Sequence, residues 1–208
     1  MRYYLEFLRS NFTVSLKDGQ PVTLEQYIDE LLDDALFQSD SEARFVLLDD
    51  LRERMRGKGR VSEELVSRLT VRMEEVFGSL AVMVRFRSSS NVEDALEFNG
   101  AGLYDSTGSC AADTIDQDTV GPSRCDPSRE TERPVERAVK KVWASLWNFR
   151  AFEEREYYGI PQQSAAMPFS SVVRSWTRPP TASRLPEIRA IPSIDAIWSR
   201  HRSASSVS

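Results

Sequence analysis

Lysine, histidine and cysteine are scarce in this sequence. Its 208 residues hold four lysines (Lys17, Lys58, Lys140 and Lys141), one histidine (His201) and two cysteines (Cys110 and Cys125). A lone histidine in a serine-rich tail reads as a bystander. The two cysteines lie in a polar stretch; they could pair, but the expectation is two free thiols in a cytoplasmic chain. No apolar run approaches the length that crosses a bilayer. The N-terminus, "MRYYLEFLRSNF", lacks the long apolar core and small-residue cleavage site of a signal peptide. A net charge of -5 argues against a general nucleic-acid binder.

A composition of 40% hydrophobic and 28% charged residues suits a soluble globular chain. The charge is uneven. Up to Ile160 there are 21 basic and 30 acidic residues; from Pro161 onward there are six arginines, no lysine, one aspartate and one glutamate. Six of the ten prolines and eleven serines also fall in that last segment. The expected organisation is therefore a domain over 1–160, helical over 1–79 and strand, loop and helix over 80–160. A Ser/Arg/Pro-rich tail over 161–208 should be largely disordered and removable.

Thr23 and Gln26 form a capping-box signature. Apolar residues then recur at helical spacing from Leu24 to Leu36. A second helix is expected from about Glu42 to Met55, burying Phe45, Leu48, Leu51 and Met55. A third follows Ser62 and ends at Gly78. "LAVMVRF" reads as a strand, and Asn91 to Arg133 as mostly loop. Helix resumes near Pro134 with an apolar face of Val135, Ala138, Val139, Val142, Trp143 and Leu146. Asn148 interrupts it, and "FRAFEEREYYGI" makes one more short helix.

The most informative stretch is "VRFRSSSNVEDALEFNGAGLYDS", Val84 to Ser106. A strand ending in Arg87-Ser88-Ser89-Ser90 brings a guanidinium and several hydroxyls to one place. Arginine matches phosphate oxygens with a planar fork of donors. Gly100, Gly102 and Gly108 permit close backbone approach, while Ser106 and Thr107 add hydroxyl donors. This chemistry suits a polyphosphate. The spacing is not that of a P-loop, which ends in Gly-Lys-Ser/Thr. By itself the pattern also fits a plain serine-rich turn.

The same stretch resembles the nucleotide-binding domain of the phosphoenolpyruvate synthase and pyruvate phosphate dikinase family. That family has an arginine-serine-serine motif, a Glu-Asp pair and a glycine loop. "VWASLWNFRAFEEREYYGI" resembles its next landmark. The resemblance spans about Met1 to Ile160. It implies an α+β, ATP-grasp-like fold, present here as a partial domain, that binds ATP with magnesium. In the family the ATP phosphoryl group passes to a histidine on a swivelling domain and then to pyruvate or a related acceptor. Matched by position, Arg87, Gly102, Ser106 and Thr107 are the ATP contacts. Leu103 replaces a glutamine common in the family. Glu93 and Asp94 are expected to organise the loop. Arg150 matches the second landmark, or pairs with Glu154 one helical turn on.

Parts of the family's site have no match. Its Gly-Gly-Lys lysine lies upstream of the region that resembles this chain, and Lys58 in "RGKGR" reads as a solvated charge. Adenine contacts and magnesium ligands should follow Ile160, where the tail stands instead, so no metal ligand and no catalytic residue is assigned. His201 has no phosphohistidine loop around it. The expectation is an incomplete phosphotransferase, inactive alone, that relies on other chains for the rest of the site and the phosphohistidine. The alternative is a non-catalytic binding or regulatory module derived from that domain. The tail composition suggests out-of-frame translation beginning near Met167. Neither a nucleic-acid nor a membrane partner is expected.

Overall fold

The computed structural model describes residues 2–91, 102–116, 118, 120–167, 169–170, 172–174 and 188–190. The architecture is α+β. In chain order come α1 (Arg2–Ser10), β1 (Phe12–Val14), β2 (Pro21–Thr23), α2 (Leu24–Asp33), α3 (Ala35–Ser39), α4 (Ser41–Glu53) and a π-helical turn (Arg54–Lys58). They are followed by α5 (Glu63–Phe77), β3 (Met83–Ser88), β4 (Thr107–Cys110), α6 (Ala112–Ile115), α7 (Val135–Ala144) and α8 (Phe149–Tyr157). Last come β5 (Phe169–Ser170), β6 (Val172–Arg174) and β7 (Ile188–Ala190).

The chain divides into two compact units that alternate along the sequence. The first comprises Met1–Val61, Ser89–Asp105 and Lys140–Pro168; the second comprises Ser62–Ser88, Ser106–Val139 and Phe169–Ser208.

In the first unit, α1 buries Tyr3, Tyr4, Phe7 and Leu8. Trp143 packs on this face, its ring 5.0 Å from Phe7 and 5.9 Å from Tyr4. The buried Tyr4 hydroxyl accepts from the Trp147 indole N–H at 3.0 Å. β1 and β2 form a short antiparallel hairpin. Thr23 closes it and caps α2 with both halves of the capping box in place. The expected continuous helix to Leu36 breaks at Asp34, whose side chain accepts from the Phe37 N–H at 2.8 Å and starts α3 afresh. Asp40 starts α4 in the same way. Both breaks follow from short acidic side chains satisfying free helix N–H groups. Leu48, Leu51 and Met55 are buried as expected, but Phe45 is 54% exposed and stacks edge-on against Phe149.

Arg155 in α8 is fully buried. Its Nε donates to Gln162 Oε1 at 2.7 Å and its Nη2 to the Leu146 carbonyl at 2.8 Å. Burial pulls its pKa below the ordinary arginine value. Gln162 in turn donates to the Phe152 carbonyl at 3.1 Å, and Ala165, Ala166 and Met167 are buried. Packing therefore continues past the composition break at Pro161. The reason is physical: the neutral amide of Gln162 is the acceptor that a buried guanidinium needs, and net charge says nothing about it.

In the second unit, α5 ends at Gly78 in the left-handed conformation, φ 68°. Of the apolar positions expected there, Leu65, Leu69 and Met73 are buried. β3 lies between β4 and β5, with Met83 opposite Cys110 and Phe86 opposite Thr107. β6 and β7 pair antiparallel. β4 lies in a segment expected to be loop; "TGSC" has too little apolar alternation to announce a strand, and pairing with β3 creates it. A second correction concerns the cysteines. Cys110 and Cys125 form a disulfide, with Cα atoms 5.8 Å apart, where free thiols were expected. The bend after β4 brings residues 15 apart in sequence face to face, a geometry that polarity and spacing do not reveal.

Candidate functional site

Alternation along β3 sets the chemistry of its two faces. Val84 and Phe86 are buried, while Arg85 and Arg87 are exposed on the opposite face. The β3–β4 register ends at Phe86 opposite Thr107, one residue short of Arg87 and Ser106. Arg85, not Arg87, reaches the serine: its Nη2 donates to Ser106 Oγ at 2.9 Å and its Nε at 3.3 Å. The Arg87 backbone pairs with Ser170 of β5. Among the described residues its guanidinium makes no hydrogen bond or ion pair, and it stays exposed.

Thr107 is placed differently. It is 4% exposed, and its hydroxyl donates to the Gly108 carbonyl at 3.5 Å. Gly108 itself sits tightly, with Met83 Sδ 2.9 Å from where a Cβ would stand. The second unit thus brings Arg85, Arg87 and Ser106 to one sheet face and turns Thr107 inward.

Gly102 belongs to the first unit. It has φ 82° and open space around it, so glycine serves a turn there that an L side chain would strain. Asn148 fixes the following residue by donating to the Leu103 carbonyl at 2.9 Å. Arg155 Nη1 approaches the Tyr104 hydroxyl at 3.4 Å. These contacts tie the segment after the glycine to the second landmark, "WASLWNFRAFEER". Arg150 is exposed and forms no ion pair with Glu154 among the described residues. The landmark arginine with a structural role is Arg155. Lys58 is exposed, as expected of a solvated charge. Glu93, Asp94, Gly100 and His201 lie outside the described residues.

Arg85 is the residue that sequence reasoning passed over. The signal was present in "VRFR", since two arginines at spacing two in a strand share a face. The first unit also holds a cleft of about 440 Å³, lined by Phe37, Arg44, Phe152 and Gln162 among others. Its arginine is already committed: Arg44 pairs with Glu153, donates to the Phe37 and Gln38 carbonyls, and lies over the rings of Phe37 and Phe152. That cleft is therefore no anion site. Among the described residues no helix is long and apolar enough to cross a membrane.

No curated protein matches the chain. The sequence model of the family described as pyruvate phosphate dikinase, AMP/ATP-binding domain, matches residues 11–175, more than three-quarters of the chain. The match runs through β3, β4, α7 and α8 and past Ile160. With the β3 arginines, Ser106 and the landmark helix inside it, the chain belongs to the pyruvate phosphate dikinase AMP/ATP-binding domain family.

Proposed function

We propose that this chain supplies the ATP-binding portion of a phosphoenolpyruvate synthase-like phosphotransferase, in which an ATP phosphoryl group passes to a histidine on another domain. The observation that carries this reading is the exposed Arg87 guanidinium, unengaged among the described residues, on one sheet face with Arg85 and Ser106, inside the family match. A phosphate oxygen arriving there would meet a charged fork and a hydroxyl already oriented by a second arginine. Magnesium would accompany the nucleotide; no residue of this chain is assigned as its ligand.

Calorimetric titration of ATP with magnesium into the folded chain tests the proposal. With the adenine and metal contacts unmatched in this chain, the expected result is weak binding, falling roughly a further tenfold to a hundredfold in Arg87→Ala, the effect of losing a hydrogen bond to a charged group. Absence of saturable heat from folded wild-type chain at millimolar ATP overturns it. The burial of Thr107, one of the four matched ATP contacts, favours a second reading, a non-catalytic binding or regulatory module derived from that domain. Binding of ATP with no label transferred from γ-labelled ATP to a histidine-bearing partner selects that reading.

A further inference from the structure

The loop between β4 and α7 gathers three carboxylates in the second unit. Asp113 and Asp116 lie one turn apart at α6, and Glu132 returns to them from just before α7. An oxygen of each lies within 4.8 Å of an oxygen of the others. These are not exposed acids. Asp113 is 2% and Glu132 7% exposed, and the Asp116 side chain is 6% exposed. Like charges at this separation and depth repel strongly unless something neutralises them.

The available neutralisation falls short. Asp113 accepts from two backbone N–H groups, of Arg124 and Arg133, both at 2.8 Å. Those bonds orient it and leave lone pairs free. Asp116 Oδ2 pairs with Arg124 Nε at 2.5 Å, while its Oδ1 has no hydrogen-bond partner among the described residues. Glu132 Oε2 has none among them either. Glu132 is thus more than nine-tenths buried, without a hydrogen-bond partner for Oε2 among the described residues, and faces two further carboxylates.

We propose that Asp113, Asp116 and Glu132 bind a hard divalent cation of the calcium type, which clamps the loop closed by the Cys110–Cys125 disulfide. Three carboxylates select a hard, oxygen-seeking ion. Their burial leaves little room for the several waters that magnesium retains, whereas calcium accepts a flexible set of protein oxygens. The cross-link and the ion would act on the same loop, which begins at Cys110 and returns at Glu132. Asp118 adds a further negative charge nearby. The site is independent of the nucleotide.

The test uses the full chain, disulfide intact, stripped with chelator and free of nucleotide. Calcium chloride is titrated in by calorimetry, and thermal unfolding is followed with and without saturating calcium. One calcium per chain is expected, with a rise in Tm of about 5 °C at roughly a hundredfold excess over Kd. Glu132→Gln keeps the shape and removes a charge. It should fold at least as stably as metal-free wild type and bind calcium at least tenfold more weakly; Asp116→Asn should weaken binding likewise. No binding by folded wild type at millimolar calcium, or undiminished binding in both variants, overturns the site. Tighter binding of magnesium than of calcium overturns the calcium assignment. None of these outcomes depends on ATP.

Discussion

Arg85 and Arg87 differ in nothing the composition records, yet the structure gives them separate work. Arg85 holds Ser106, and Arg87 is left unengaged among the described residues. Arg85→Ala should therefore cost a modest amount of stability, below about 1 kcal/mol for an exposed neutral-acceptor bond, visible as a small drop in urea midpoint. Arg87→Ala should leave that midpoint in place and act only on ligand affinity. The reverse pattern would move the proposed anion contact to Arg85. The strand reading put Arg87 at the end of β3; the Arg85–Ser106 bond needed the β3–β4 register, which a sequence does not print. Glu132 gives a second expectation at this scale. Its folded carboxyl is raised by burial and by Asp113, Asp118 and Asp116, against the opposing Arg124. The folded chain then holds this proton to higher pH than the unfolded chain does. Its contribution to stability is full below the ordinary glutamate value and is lost as pH rises through the raised one. In chelator, wild type should lose Tm relative to Glu132→Gln across that rise. A constant difference between the two would refute the shift.

Helices were the legible elements, because their starts and stops are written in local chemistry. The Thr23–Gln26 box and Gly78 both act where expected. The failures are as physical. Asp34 offers its own carboxylate to Phe37 and so restarts a helix that periodicity alone would continue. β4 exists only because β3 pairs with it, and the disulfide only because the chain turns back. That disulfide closes a loop of 15 residues in sequence separation, a length for which cross-linking contributes about 3 kcal/mol. Denaturant unfolding with and without reductant should differ by about 2–4 kcal/mol; coincident curves would show that the bridge carries no stability. Gly59, just after the π-helical turn, is equally specific. A Cβ there would lie 2.5 Å from both the Met55 carbonyl oxygen and Phe7 Cζ. Gly59→Ala should destabilise by about 1–3 kcal/mol through overpacking, measured as a fall in Tm.

At the scale of the molecule, composition and packing disagree near Ile160. The charge break suggested a removable tail, yet Gln162 accepts from buried Arg155 and donates to Phe152. Ending the chain after Ile160 would leave Arg155 Nε without its acceptor, at a cost of about 1–3 kcal/mol. Gln162→Leu in the full chain should show much of that loss; an unchanged Tm would restore the break as the edge of the packed region. The two units raise a wider point through their threading. The chain passes between them five times, at Val61/Ser62, Ser88/Ser89, Asp105/Ser106, Val139/Lys140 and Pro168/Phe169. Neither unit is therefore a contiguous cassette. A gene fusion, a proteolytic nick or a crossover in recombination that severs the chain at one point cannot release either unit whole, so this region would pass between longer proteins as an indivisible block.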